Sequence, residues 1–243
     1  MIRRVLTLFC ALGLVGCGAV GQERVSVELF VGGVDARDPF ETDGGAKVTL
    51  DRADLAFGPL YLCAGVTAGD LCSTARLEWL GTVVVDMLDG AGVYAGELTG
   101  VTGAVQSWMY DLGISSQLTR SEPYVLDAAR ELGGVSFVVH GTAEMNGVEI
   151  VFSAAVPLHQ ANSTEWGLPV IRKSASEQFY HDVVADGPPL FVKFDPRDLI
   201  SGVDFSAFEA GEVSFSEGTE AYRAVRNALA SGGRASMTFG TSW

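Results

Sequence analysis

Apolar and polar residues alternate along short stretches of the chain, with the period of two that is typical of β-strands with one buried face. In residues 23–31, three valines and Leu29 occupy one face, whereas Ser26, Glu28 and Phe30 occupy the other. Further short runs rich in apolar residues occur at residues 47–57, 60–63, 76–88, 104–112, 169–180, 190–195 and 235–239. Turns rich in glycine and proline separate these runs, so the pattern predicts many short strands.

The clearest predicted element is a hairpin formed by residues 135–145 and 148–158. Asn146 and Gly147 lie between its two alternating runs. Asn-Gly is the preferred pair for a two-residue type I′ turn, because both positions need positive φ. Such a turn pairs His140 with Ser153 on the polar face. A hairpin sorted in this way belongs to an antiparallel sheet with one solvated side.

Helical features are confined to three segments, which are residues 121–132, 196–203 and 217–230. Asp195 and Thr219 are the expected N-caps of the second and third segments. Paired glycines follow the first and third segments, as expected where helices end. The sequence therefore predicts an all-β fold, a single antiparallel β-sandwich at residues 23–243 with short helical insertions.

The first sixteen residues have the features of a secretory leader. Arg3 and Arg4 precede an apolar run that is too short to span a bilayer. The run ends with Leu14, Val15 and Gly16, directly before Cys17. This ending resembles a bacterial lipobox, in which the cysteine is acylated. Residues 1–16 are therefore predicted to be a lipoprotein signal peptide, with an ordinary leader cleaved nearby as the alternative.

Lipidation would place the protein on a membrane of the cell envelope. Cys17 would carry palmitate or similar acyl chains, and residues 17–22 would form the tether. Several acyl chains satisfy the need for more than one to give stable anchoring. Gly18 stands where an aspartate would favour retention at the inner membrane. We therefore expect an exported protein on the outer membrane, facing the periplasm or the cell surface.

The chain is strongly acidic. It has 30 Asp and Glu residues against 16 Lys and Arg residues, which gives a formal net charge of −14. An acidic surface repels polyphosphates, so nucleic acid is not an expected partner. The expected partners are the membrane, through the lipid, and an envelope protein.

Two of the four cysteines remain for the folded domain. Cys10 leaves with the leader and Cys17 carries the lipid, so Cys63 and Cys72 are left. In an oxidising compartment, two such cysteines predict one disulfide bond. A metal-binding pair is the alternative, although no histidine or third cysteine lies near them in the sequence to complete a tetrahedral site.

Three histidines are the candidate metal ligands: His140, His159 and His181. The nearest acidic residue on the strand of His140 is Glu144, four positions along. At ~3.3 Å per residue, about 13 Å separates these two residues along the strand, so they cannot share a metal ion. The sequence favours a solvated His140.

Acidic residues form two further candidate cation sites. In the hairpin, Glu144 lies directly opposite Glu149, an arrangement that is unfavourable unless a cation, an arginine or a lysine lies near or the side chains splay apart. An acidic loop carries Asp35, Asp38, Glu41 and Asp43. It has oxygen ligands for calcium but not the ligand order of an EF-hand, so a solvated loop is the favoured interpretation.

Catalysis has little support in the sequence. The chain contains no Gly-x-Ser-x-Gly elbow for a nucleophilic serine. The sequence does not place His181 or Asp182 near any serine, so a hydrolase is the weakest hypothesis.

Five stretches in order resemble the copper-related family of periplasmic β-sandwich proteins encoded beside methanobactin, and they also resemble bacterial lipoproteins. These stretches are residues 48–62, 83–88, 103–113, 136–157 and 191–205. The resemblance implies a β-sandwich fold and an association with copper. Family members bind copper through histidines and sometimes a modified tryptophan. The shared stretches are strand patterns, so no ligand residue is transferred to this chain.

Two main hypotheses follow from the sequence. The first is a lipid-anchored envelope protein with a non-catalytic binding or structural role and no predicted cofactor. The alternative is a periplasmic copper-binding protein of the family just named. Calcium at the acidic residues is a further alternative for the cofactor.

Overall fold

The computed structural model describes residues 22–66, 72, 75–115, 124–158, 173–175, 180–231 and 235–241. The strands are β1 (Arg24–Gly33), β2 (Phe40–Glu41), β3 (Lys47–Phe57), β4 (Leu60–Cys63), β5 (Ala75–Trp79), β6 (Val83–Asp86), β7 (Val93–Val101), β8 (Gly103–Val105), β9 (Ser107–Tyr110), β10 (Ile114–Ser115), β11 (Tyr124–Val125), β12 (Phe137–Met145), β13 (Val148–Val156), β14 (Lys173–Ala175), β15 (His181–Val183), β16 (Leu190–Phe194), β17 (Gly211–Phe215) and β18 (Ser236–Phe239). The helices are α1 (Asp127–Glu131), α2 (Arg197–Ile200) and α3 (Glu220–Ser231), with a 3₁₀ turn at Phe205–Ala207.

Most of the strands belong to two sheets that share one hydrophobic core. The first sheet has the order β14-β9-β4-β5-β7-β1-β16-β18. The second has the order β17-β13-β12-β3-β2, and β6 also pairs with β3. Two small ribbons, β10 with β11 and β8 with β15, complete the pairing. The predicted all-β, sandwich-like fold is confirmed.

The sheets are mixed, whereas the sequence predicted antiparallel sheets. Strand β16 runs parallel to β1, and β17 runs parallel to β13. Parallel neighbours need a long crossover connection, and both pairs join segments that are distant in sequence. Local sequence patterns predict the turns between consecutive strands. They do not predict whether strands that are distant in sequence pair parallel or antiparallel.

The predicted hairpin is confirmed in type and register. Strands β12 and β13 pair so that His140 lies opposite Ser153. Asn146 and Gly147 form the turn with φ values of 54° and 76°. The remaining flank of β12 pairs with β3, which places the hairpin in the middle of the second sheet.

Three predicted elements differ from the structure. Residues 76–88 form two strands, β5 and β6, in different sheets, and the chain passes between the sheets through residues 80–82, where a Cβ atom on Gly81 would lie 2.7 Å from Trp79 Cε2. Residues 104–112 likewise contribute to two strands. β8 pairs with β15 in a small ribbon, and β9 belongs to the first sheet. The first predicted helix contains only the five residues of α1, and residues 116–123 lie outside the described part of the chain. Strand β17 was not predicted.

The two later helices begin near the predicted caps. The Tyr222 amide donates a hydrogen bond to Thr219 Oγ1 at 3.2 Å, which confirms Thr219 as the cap of α3. The Arg197 amide donates to Asp195 Oδ1 at 3.0 Å, although Pro196 is the residue that directly flanks α2. The side chains of Tyr222, Val225 and Leu229 join α3 to the common core.

The predicted disulfide between Cys63 and Cys72 is present, with the two Cα atoms 5.7 Å apart. Both cysteines are buried beside Met109, and Tyr61 packs against the same cluster. On the chain-entropy model, closing a loop of this length stabilises the fold by about 2.7 kcal/mol. The bond makes the two sulfurs a structural link and rules out a thiolate metal site in this oxidised form.

No helix among the described residues is both long enough and apolar enough to cross a membrane.

Candidate binding surface

The candidate histidine ligands do not lie together. His140 is exposed on the outer face of the second sheet, between Arg52 of β3 and Ser153 of β13. His181 begins β15, opposite Val105 of the β8 ribbon. His159 lies outside the described residues. Within the described ranges, no group of three or more His, Cys, Asp or Glu side chains is placed to hold a metal ion.

The opposed carboxylates of Glu144 and Glu149 have a lysine in register. Lys47 of β3 pairs with Glu144 on the flank away from Glu149, and Glu41 of β2 pairs with Lys47. Charges therefore run negative, positive, negative, negative across four strands. Lys47 adjoins Glu144 alone, so the register places no basic residue between the two opposed carboxylates.

The four acidic residues of this loop lie in different surroundings and do not converge on one point. A Cβ atom at Gly90 would lie 3.4 Å from Asp35 Cβ, so Asp35 faces the loop after β6. The Asp43 amide donates to the Ser201 carbonyl at 3.1 Å, beside α2. Glu41 lies in β2, and Asp38 is exposed in the loop before it. This distribution favours the solvated loop that the sequence analysis preferred.

His181 is held against an aromatic ring. Its imidazole stacks on Phe239 of β18 with ring centroids 3.7 Å apart and an interplanar angle of 6°. Partial burial lowers the pKa of His181 below its ordinary value of 6.5, and the neighbouring Asp182 carboxylate opposes this shift. The folded chain therefore favours the neutral imidazole.

This stack predicts a loss of stability in acid. A lowered pKa in the folded state means that the unfolded chain binds more protons at His181 once the pH falls through about 6.5, so the free energy of unfolding should fall as the pH decreases further. Replacing His181 by phenylalanine keeps a stacked ring and should reduce this pH dependence, measured by urea denaturation between about pH 5 and pH 8. The His140→Gln variant is the control, because it removes an exposed imidazole from the other sheet and leaves the stack of His181 on Phe239 in place. Identical slopes for His181→Phe and the unchanged chain would contradict the assignment.

The outer face of the first sheet carries an aromatic row that the sequence analysis did not identify as a site. Phe30 of β1 lies in register with Tyr94 of β7 on one side and with Phe191 of β16 on the other. The Phe30 ring contacts the Tyr94 ring edge-on at 5.6 Å and stacks on the Phe191 ring at 5.3 Å. Tyr94 is 54% exposed, whereas Phe191 is only 7% exposed and forms the buried end of the row.

A β-bulge places Tyr94 on this face. Leu29 pairs with Gly96 but Phe30 pairs with Tyr94, so Ala95 is the extra residue of β7. Without the bulge, the period of two would turn Tyr94 toward the core, as it does Leu98. Bulges often redirect a side chain in this way.

Carboxylates adjoin the aromatic row on the same face. Glu28 of β1 and Glu97 of β7 lie directly opposite each other, and both are exposed. The Ser26 hydroxyl donates a hydrogen bond of 2.5 Å to Glu97 Oε2. Glu78 of β5 is exposed opposite Thr99 of β7. We call the surface formed by Tyr94, Phe30, Glu28, Glu97 and Glu78 the aromatic–acidic face.

A groove of about 590 Å³ continues this face toward the start of β1. Its lining residues are Arg24, Val25, Ser26, Glu78, Thr99, Gly100 and Val101. The groove and the aromatic row thus follow the same strands, β1 and β7. Together they form an elongated surface with polar side chains at one end and aromatic rings at the other.

The fold and this surface define a β-sandwich protein with an exposed aromatic and acidic sheet face. No family model matches the sequence, and no match to a curated protein was found. Among solved structures, the chain is similar to MbnP from Methylosinus trichosporium, with 13% sequence identity and a TM-score of 0.45. The match covers 85% of this chain and 88% of that one. The weak resemblance noted from the sequence is thereby confirmed.

Proposed function

We propose that the chain is an exported, lipid-anchored and non-catalytic binding protein of the cell envelope, and that the aromatic–acidic face is its binding surface. The supporting observation is the exposed Tyr94 ring in contact with Phe30 on an otherwise polar sheet face. Exposed aromatic rings grouped beside polar groups are characteristic of interaction sites. The bulge that redirects Tyr94 supports a role for the ring outside the core.

The position of this face suits a protein tethered at its N-terminus. β1 begins at Arg24, seven residues after Cys17, and continues from there to Phe30. Six strand residues at ~3.4 Å each place the aromatic row about 20 Å farther along the strand than Arg24. Along the sequence, the groove residues of β1 are therefore closer to Cys17 than the aromatic row is.

Lipid anchoring is tested by metabolic labelling with a palmitate analogue. We expect the unchanged chain to incorporate the label and the Cys17→Ser variant to lose it. Cys10→Ser is the matched control, because Cys10 lies within the leader and its variant should keep the label. Membrane fractionation of the labelled protein tests the expected outer-membrane location. Equal labelling of both variants would overturn the anchor at Cys17.

The binding surface is tested with a photo-crosslinking amino acid placed at position 94 in living cells. We expect crosslinks to a partner from this position. Val151 is the matched control, because it is an exposed apolar residue, 42% accessible, on β13 of the second sheet. No crosslink from position 94, or the same products from both positions, would overturn the proposed surface.

Metal analysis distinguishes the binding role from the copper hypothesis. The full chain is loaded with Cu(I) or Cu(II), dialysed and assayed for metal. Stoichiometric retention that is lost when His140, His159 or His181 is replaced by alanine would overturn our preference. The separation of His140 and His181 in the fold supports the expectation that neither substitution changes the metal content.

A further inference from the structure

We propose that the aromatic–acidic face binds a cationic polypeptide segment, recognised through lysine or arginine side chains. This inference rests on the proposed binding role and adds the chemistry of the partner. It is carried by the way in which carboxylates and aromatic rings are arranged on β1, β5 and β7.

The carboxylate pair on this face has no basic residue in register on either neighbouring position. Glu28 and Glu97 lie directly opposite each other, which is unfavourable for two like charges. In the described part of the chain, no basic side chain forms an ion pair with either of them or with Glu78. By contrast, the similar Glu144 pair has Lys47 in register. A cation from a partner would relieve the repulsion between Glu28 and Glu97.

The adjacent aromatic rings favour an organic cation over a simple ion. Phe30 lies two residues after Glu28 on the same strand, so the ring and the carboxylate are about 7 Å apart along it. A guanidinium or ammonium group beside Glu28 and the exposed Tyr94 ring meets carboxylate oxygens and an aromatic ring together, and both attract it. The exposed Tyr94 ring extends this apolar side for the alkyl part of a lysine or arginine side chain.

The length of the surface favours a polypeptide over a small amine. Carboxylates and rings follow β1 and β7 from the groove at Ser26 to Phe30, and the groove itself begins at Arg24. The part from Ser26 to Phe30 spans about 14 Å, which matches about four residues of an extended chain, whereas the far end of the groove carries the basic Arg24. The net charge of −14 also favours the approach of a basic partner by long-range attraction.

The test measures binding of a fluorescent octapeptide of alternating lysine and serine to the full chain, purified in a non-ionic detergent. Fluorescence anisotropy should show binding that weakens as salt is added, since exposed charges are screened. We expect the Glu28→Gln/Glu97→Gln double variant and the Tyr94→Ala variant each to raise the Kd by about tenfold. The Glu144→Gln/Glu149→Gln double variant is the matched control. It removes the same charge from another opposed pair and should change the Kd by less than about twofold.

Other outcomes separate this inference from the proposed function. Equal weakening by both double variants would show attraction to net charge alone and would overturn the inference. Binding of neutral maltohexaose that is lost in Tyr94→Ala but kept in Glu28→Gln/Glu97→Gln would identify a glycan surface and would also overturn it. Failure of the lysine peptide to bind, with crosslinks from position 94 retained, would overturn the cationic partner and leave the binding surface in place. Failure of both would overturn both.

Discussion

Replacing Phe57 by alanine should lower the free energy of unfolding by about 3 to 5 kcal/mol. Phe57 is completely buried at the end of β3, where its ring lies 5.3 Å from Phe194 and 5.4 Å from Tyr110. It also stacks on Trp79 at 6.0 Å. These neighbours come from three strands of the opposite sheet, so truncation opens a cavity between the two layers. Urea denaturation followed by tryptophan fluorescence and circular dichroism measures the change.

Tyr94→Ala is the control for this measurement. It also truncates an aromatic side chain, but the ring is more than half exposed on the outer face. We expect a loss of about 1 kcal/mol or less. The same measurement shows that this variant is folded in the binding experiments. A loss from Phe57→Ala no larger than that from Tyr94→Ala would contradict the position of Phe57 in the core.

Local patterns were sufficient for the elements whose partners are adjacent in sequence. The hairpin of β12 and β13 was predicted in register, because the Asn146-Gly147 turn fixes which residues face each other. The disulfide was predicted from the expectation that Cys10 belongs to a leader and Cys17 carries lipid, which leaves only Cys63 and Cys72. Thr219 was identified as a helix cap because its hydroxyl suits the first turn of α3.

Pairings between distant segments could not be predicted in the same way. β1 lies between β7 and β16, and only a tertiary contact determines that β16 runs parallel to it. The division of β5 from β6 depends on Trp79, which packs beside Gly81 and leaves no room for a side chain there. Neither arrangement has a repeating pattern in the sequence.

The candidate surface was partly visible in the sequence. Phe30 stands on the polar face of an alternating strand, beside Ser26 and Glu28, and an aromatic residue in that position indicates a function outside the core. Tyr94 carried no such indication, because its side is set by the bulge at Ala95. The metal candidates drew attention to histidines and paired glutamates, whereas in the structure Lys47 of β3 lies in register with Glu144.

A close approach between the end of β1 and the chain after β6 predicts the second large effect. Gly33 ends β1, and a Cβ atom at this position would lie 1.9 Å from the Met87 carbonyl oxygen and 2.5 Å from Met87 Cα. The Met87 amide donates to Ala53 of β3 at 2.8 Å, and the Gly33 amide donates to Asp89 at 3.2 Å. The obstacle is therefore backbone that is hydrogen-bonded to the second sheet, and it cannot move away as a side chain can.

Gly33→Ala should consequently lower the free energy of unfolding by about 3 kcal/mol, the upper end of the usual range for overpacked sites. Gly202→Ala is the matched control, because a Cβ atom there meets nothing within 4 Å. That substitution should be neutral or stabilise the chain by about 0.4 to 1 kcal/mol, since alanine restricts the unfolded state more than glycine does. Urea denaturation of both variants gives the two values. Similar small changes in both would contradict the close approach of β1 to the chain after β6, whereas a large loss in Gly33→Ala alone would support it.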